Sequence, residues 1–181
     1  IYFVENLDTF SKNLASARPT HFLAVPRIWA KFQEGILQKI GGQKKLNLLL
    51  SIPIVRTLIQ KKIQKGLGLD QTTLAVTGAA PISAELMIWF QKLGIFIQEA
   101  YGMTENMGLN ALMPRNQIKL GSVGRIHPDC ETRIDPETQE IQMRAPYNSI
   151  GYFKETALTQ ELFTKDGWLK TGDQGKLDTE G

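Results

Sequence analysis

Thr104 and Glu105 stand side by side at the end of residues 101–105 (YGMTE). They set a hydroxyl that can donate to a phosphate oxygen beside a hard carboxylate oxygen of the kind magnesium prefers. Asp173 closes residues 168–173 (WLKTGD), and its two ionised oxygens can accept from both hydroxyls of a ribose. In residues 77–81 (TGAAP), Gly78, Ala79 and Ala80 have little or no side chain, so a flat ring can lie against the backbone. Tyr101 offers an aromatic neighbour to such a ring. Gly102 lets the backbone approach a reacting carbonyl and phosphate.

Each segment alone has a plainer reading. Small residues after a strand serve close packing, Tyr101 suits a buried position beside a turn, a Thr-Glu pair is commonly surface, and an Asp after Gly is commonly a turn acid. Their order and company decide. Together with residues 22–29 (FLAVPRIW), 121–125 (GSVGR) and 151–173 (GYFKETALTQELFTKDGWLKTGD), they resemble the AMP-binding superfamily of acyl-CoA synthetases, luciferases and peptide-synthetase adenylation domains. The resemblance runs over nearly the whole chain, and residues 22–29 with their surroundings are most similar to the long-chain fatty acid:CoA ligase branch.

That resemblance implies an α/β fold, specifically a piece of the large N-terminal domain. It implies ATP-dependent activation of a long-chain fatty acid to acyl-AMP and then acyl-CoA. Thr104 and Glu105 would be catalytic, with Glu105 on magnesium. Gly78, Ala79, Ala80, Tyr101, Gly102, Thr104 and Asp173 would hold the nucleotide. Fatty acid, ATP and coenzyme A are the expected partners, with Mg2+ as the metal. The phosphate-binding loop is expected before Ile1, and the small C-terminal domain with its lysine beyond Gly181, so the piece is expected to be inactive alone. Two alternatives stay open: an adenylate-forming enzyme with another acceptor such as a carrier protein, and a degenerate homologue that binds nucleotide without turnover.

The elements that must position these residues can be read from periodicity. Leu7, Phe10 and Leu14 predict a helix over residues 6–17, followed by a buried strand at 22–25. Ile28, Phe32, Ile36 and Ile40 predict an amphipathic helix that Gly41 and Gly42 stop. Two helical stretches flank Pro53, the second carrying Val55, Leu58, Ile59 and Ile63 until Gly66 and Gly68. A strand at 73–77 leads through the small-residue loop to Ser83, a predicted N-cap for a helix with Leu86, Phe90 and Leu93 inward and Gly94 as its stop. A strand at 95–97 then runs into Tyr101. Strand, helix, strand is the order of a parallel sheet, and ligands gather beyond the carboxyl ends of such strands.

The first 115 residues therefore read as a parallel-sheet α/β subdomain and residues 116–181 as a β-rich one. In the latter, Thr132, Ile134, Ile141 and Met143 predict a hairpin turning at 135–138, then a short helix at 156–163 and a strand at 168–171. Trp29, Trp89 and Trp168 are expected to pack. His21 and His127 belong to no motif and stand outside the site.

With 181 residues, 42% hydrophobic and 22% charged, the composition is that of a globular chain with a core. The chain starts at Ile1 and stops at Gly181 after turn-type residues, which suggests an internal piece whose leader, if any, lies elsewhere. Its single cysteine, Cys130, makes no internal disulfide and is expected to pack, consistent with a cytoplasmic compartment. The net charge is +3, with Arg27, Lys31, Lys39, Lys44, Lys45, Arg56, Lys61, Lys62 and Lys65 set against Glu34 alone over that stretch. Such a run is either a solvated helix face or a surface for peripheral membrane contact. No nucleic acid is expected, and the oligomeric state is not legible.

Overall fold

The computed structural model describes residue Asn6 and residues 9–179; Leu7, assigned above to the first helix, lies outside them. The chain forms two compact units, Ile1–Gln98 and Glu99–Gly181, so the change of texture read near residue 116 falls inside the second.

The first unit runs α1 (Phe10–Ala17), β1 (His21–Leu23), α2 (Pro26–Ile40), α3 (Gln43–Ser51), α4 (Pro53–Leu67), β2 (Leu74–Thr77) and α5 (Ala84–Lys92). β1 and β2 pair in parallel, with His21 opposite Leu74 and Leu23 opposite Val76. A parallel pair requires a long crossover, here supplied by three helices. Pro26 opens α2 in its first turn, where the missing N–H costs nothing.

The core forms where the apolar stripes meet. Trp29 and Phe90 are fully buried with Phe22 and Phe32 beside them. The Trp29 ring meets Phe22 edge-on at 5.3 Å and Phe90 at 5.2 Å between centroids. Both buried indoles find acceptors: Trp29 Nε1–H donates to the Ala24 carbonyl at 3.2 Å, and Trp89 Nε1–H to Gln43 Oε1 at 2.8 Å. That satisfies the polar edge of each large side chain. The packing roles expected of both residues are met.

Two local expectations need correction. On α4, Ile59, Ile63 and Leu67 pack against the core, whereas Leu58 faces solvent, because the inward stripe is set by the 59–63–67 spacing. The helix also passes Gly66 and ends at Gly68, whose φ is +75°. A Cβ on Gly68 would strike the backbone of Leu14 and Ala15 in α1, so that close approach is what selects glycine. The strand expected at 95–97 is instead β3 (Ile97–Tyr101). The Ile95 N–H returns to the Phe90 carbonyl at 3.1 Å, so Ile95 and Phe96 belong to the turn after α5 and extended backbone starts two residues later.

β3 carries the chain into the second unit. There it pairs antiparallel with β4 (Ala111–Leu112), which pairs with β5 (Arg125–Ile126). A second antiparallel sheet orders β6 (Glu131–Ile134), β7 (Glu140–Arg144) and β8 (Leu169–Gln174), with α6 (Thr156–Leu162) between β7 and β8 in sequence. The hairpin register sets Thr132 opposite Met143 and Ile134 opposite Ile141. Its turn is fixed by Asp135, whose Oδ1 accepts from the Glu137 N–H at 3.0 Å and the Thr138 N–H at 2.9 Å. These bonds hold the Asp135 carboxyl below its ordinary range, as for any carboxylate accepting backbone N–H groups.

Cys130, Met143, Leu162 and Leu169 form the core of this unit, and burial pushes the Cys130 thiol up, in keeping with a packing role. Trp168 does more than pack. Its ring lies between the guanidinium groups of Arg133 and Arg144, at 4.5 and 4.6 Å from the centroid, and these pair in turn with Asp166 and Glu131.

Candidate functional site

Tyr101 is the last residue of β3, and Gly102 and Met103 lead into a single 3-10 turn, Thr104–Asn106. Asn106 anchors that turn. It is fully buried, its Oδ1 accepts from the Met103 N–H at 2.9 Å, and its own N–H donates to the Met103 carbonyl at 3.1 Å. With Asn106 inward, Thr104 is exposed and Glu105 half-buried. Gly102 has a reason of its own: a Cβ there would collide with the backbone of Gly108 and Leu109 as the chain folds back. The sequence pointed to glycine for a ligand's approach, but the approach seen is that of the chain itself.

Glu105 is held from two sides. The Tyr152 hydroxyl donates to its Oε1 at 2.6 Å, and the Ser149 N–H donates to its backbone carbonyl at 2.6 Å. The segment making both contacts is braced in turn. Tyr147 donates to the Leu109 carbonyl at 3.2 Å, and the Tyr152 N–H donates to Thr159 Oγ1 at 2.9 Å. The bond to Glu105 raises the Tyr152 phenol above its ordinary value, so it stays a neutral donor. Sequence reasoning gave Tyr152 no role. It lies in a matched segment, but no periodicity links it to a carboxylate 47 positions earlier.

Asp173 is set on β8 and exposed. The Tyr101 hydroxyl donates to its Oδ2 at 2.8 Å across 72 positions of sequence. Burial, with the charge of Asp173, pushes Tyr101 up to about 12, so the phenol is a proton donor at any working pH. The strand end is pinned: the Asp173 N–H donates to Thr171 Oγ1 at 3.1 Å, Thr171 donates to the Ile141 carbonyl at 2.8 Å, and the Gly172 N–H donates to Glu140 Oε1 at 2.8 Å. One carboxylate oxygen is thus engaged by protein while the group keeps further acceptor capacity.

Tyr101, Gly102, Thr104, Glu105 and Asp173 all stand on the second unit. Gly78, Ala79 and Ala80 stand on the first, directly after β2. Ala79 and Ala80 are exposed, and Ala79 adopts φ +64°, a left-handed conformation that costs a Cβ-bearing residue about 1–2 kcal/mol. Thr77, just before them, is fully buried, and its hydroxyl has no hydrogen-bond partner among the described residues. A left-handed Ala79 and a buried Thr77 hydroxyl make this loop one whose conformation local preference alone does not select.

Among the described residues no group of three or more His, Cys, Asp or Glu side chains converges as a metal cage. That donor set suits magnesium nonetheless. The ion keeps several waters and is commonly bound by one or two carboxylates plus substrate phosphate oxygens. Glu105, held through Oε1 by Tyr152, is the residue that would supply such a carboxylate.

Comparison with known proteins shows what the chain is similar to. The chain is 33% identical over 201 residues to the long-chain-fatty-acid–CoA ligase ACSBG2 of Gallus gallus, covering 96% of this chain and 26% of that protein. It is 33% identical over 207 residues to the putative fatty-acid–CoA ligase fadD11 of Mycobacterium tuberculosis, covering 98% and 36%. It therefore spans roughly a quarter to a third of the length of these relatives. Among solved structures it superimposes on apo MatB from Rhodopseudomonas palustris with TM-score 0.67 at 27% identity, over 99% of this chain and 33% of that one. The α/β fold agrees with that of these enzymes. A family model described as AMP-binding enzyme matches residues 2–152, which take in both the strained loop after β2 and the Thr104–Asn106 turn, and the chain belongs to that family.

Proposed function

We propose that this chain carries the adenosine side of the active site of an ATP-dependent ligase that converts a long-chain fatty acid to its acyl-CoA through an acyl adenylate. The observation that supports this most is the bond between Tyr101 and Asp173 at 2.8 Å. It couples an aromatic ring to a carboxylate that can accept ribose hydroxyls, next to a turn presenting Thr104 and Glu105. The fatty-acid ligase relatives favour the acyl substrate.

In this reading the fatty carboxylate attacks the α-phosphorus of ATP, the bond to pyrophosphate breaks, and the coenzyme A thiolate then displaces AMP from the acyl carbon. The reactants of the first half are all anionic, so catalysis rests on positioning and charge stabilisation. Thr104 donates its hydroxyl to an α-phosphate oxygen. Glu105 holds magnesium, which when bound supplies positive charge against the phosphates. Asp173 receives the ribose hydroxyls and Tyr101 lies against the adenine; Gly78, Ala79 and Ala80, with little or no side chain, suit contact with a flat ring.

The test is ATP–pyrophosphate exchange and thioester formation by the complete polypeptide, with fatty acids of increasing chain length. Exchange that depends on fatty acid, followed by acyl-CoA with coenzyme A, is the expected result. Exchange without a coenzyme A product would move the acceptor to a carrier protein. No exchange with any fatty acid would overturn the reading in favour of a nucleotide-binding homologue without turnover.

A further inference from the structure

α3 and α4 meet through the single residue Ile52, and their 25 residues, 43–67, carry Lys44, Lys45, Arg56, Lys61, Lys62 and Lys65 with no Asp or Glu. The apolar side chains of these helices divide into two sets. Leu46, Ile59, Ile63 and Leu67 pack into the core of the first unit. Leu48, Ile52, Ile54 and Leu58 do not: they are 65%, 47%, 78% and 63% exposed. Ile52 is the link itself, Leu48 lies four residues before it, and Ile54 and Leu58 lie two and six residues after it. On α4 the outer face reads Ile54 and Leu58 in the first turns, then Lys61, Lys62 and Lys65 further along the same side, at spacings of three and four.

Single exposed apolar residues are ordinary on a protein surface. Four large ones within a segment that carries six cations and no acid are a different pattern. A solvated helix face normally mixes both signs of charge. Isoleucine and leucine beside lysine match an interface that is apolar a few ångströms below a layer of negative charge. That is the chemistry of an amphipathic surface helix on an anionic membrane.

We propose that the α3–α4 corner is a docking surface for an anionic lipid bilayer: Leu48, Ile52, Ile54 and Leu58 enter the boundary between headgroups and acyl chains, while Lys44, Lys45, Arg56, Lys61, Lys62 and Lys65 meet the negative headgroups. These helices would lie along the surface, since among the described residues no helix is long and apolar enough to cross a membrane. It does not rest on the reaction proposed above, because every residue in it lies outside the nucleotide-binding segments.

The experiment is flotation of the complete polypeptide with vesicles of phosphatidylcholine alone and of phosphatidylcholine mixed with phosphatidylserine, read as protein in the floated fraction. Binding to the mixed vesicles, weakened by salt, is expected. Lys61→Gln with Lys62→Gln should lower the partition coefficient about 25-fold, five-fold for each cation removed. Ile54→Ser with Leu58→Ser should abolish flotation and leave the melting temperature unchanged. Failure to float with anionic vesicles would overturn the proposal, as would flotation indifferent to these substitutions. A marked fall in melting temperature of the Ile54→Ser, Leu58→Ser protein would also overturn it, by showing that another part of the polypeptide covers the corner.

Discussion

Glu105 is a carboxylate with two oxygens and two obligations. Tyr152 engages Oε1 at 2.6 Å, and a cation would draw on the remaining lone pairs. A carboxylate free to rotate would lose conformational entropy on taking up a cation; one already oriented loses less. Hydrogen bonds to charged groups contribute about 1.5–3 kcal/mol when water is excluded, but Tyr152 is partly exposed, so water can replace part of what its removal takes away. Tyr152→Phe in the complete polypeptide should therefore raise the magnesium concentration for half-maximal nucleotide binding by about 3- to 10-fold. The KM for fatty acid should stay unchanged. Titration of a fluorescent nucleotide with magnesium reads this directly. An unaltered magnesium dependence would make the contact incidental to the site.

At the scale of elements, what was legible in the sequence was what is decided locally. Ser83 reads as an N-cap because the motif is self-contained, and its Oγ accepts the Leu86 N–H at 3.3 Å. The hairpin at 135–138 is legible for the same reason, since Asp135 bonds its own turn. The start of β3 was misplaced because the turn after α5 takes up Ile95 through a backbone bond that no side-chain pattern announces. Gly102 was marked for the right property but an unforeseen neighbour, the backbone at Gly108 and Leu109. Hence Gly102→Ala should act first on folding. The added methyl pushes the returning chain outward and disturbs the turn that Asn106 anchors, with a cost of about 1–3 kcal/mol. Denaturant unfolding should show the loss with little change in slope. Normal stability with lost nucleotide binding would instead assign the glycine to the ligand.

At the scale of the whole molecule, the chain spans roughly a quarter to a third of the length of its relatives. The sequence singled out Thr104, Glu105 and Asp173 because their types and order are distinctive, but the bond from Tyr152 to Glu105 stayed hidden because it comes from tertiary contact. In the reading proposed above these residues would supply a hydroxyl, one magnesium carboxylate and a ribose acceptor, whereas two anions must be brought together and pyrophosphate released. In the reading proposed above, the loop for the β- and γ-phosphates and the catalytic lysine would be supplied by the rest of the complete polypeptide. Removing one preorganised electrostatic contact typically costs about 100- to 1,000-fold in rate. Without two of them, the purified chain should form acyl-CoA at less than about one ten-thousandth of the rate of the complete polypeptide, measured by thioester formation under saturating ATP. Its circular dichroism should still report folded helices and strands, which separates loss of chemistry from loss of structure. Turnover by the chain alone that Glu105→Ala abolishes would show that these two units hold a sufficient catalytic apparatus, and that the phosphates are neutralised by groups already present here.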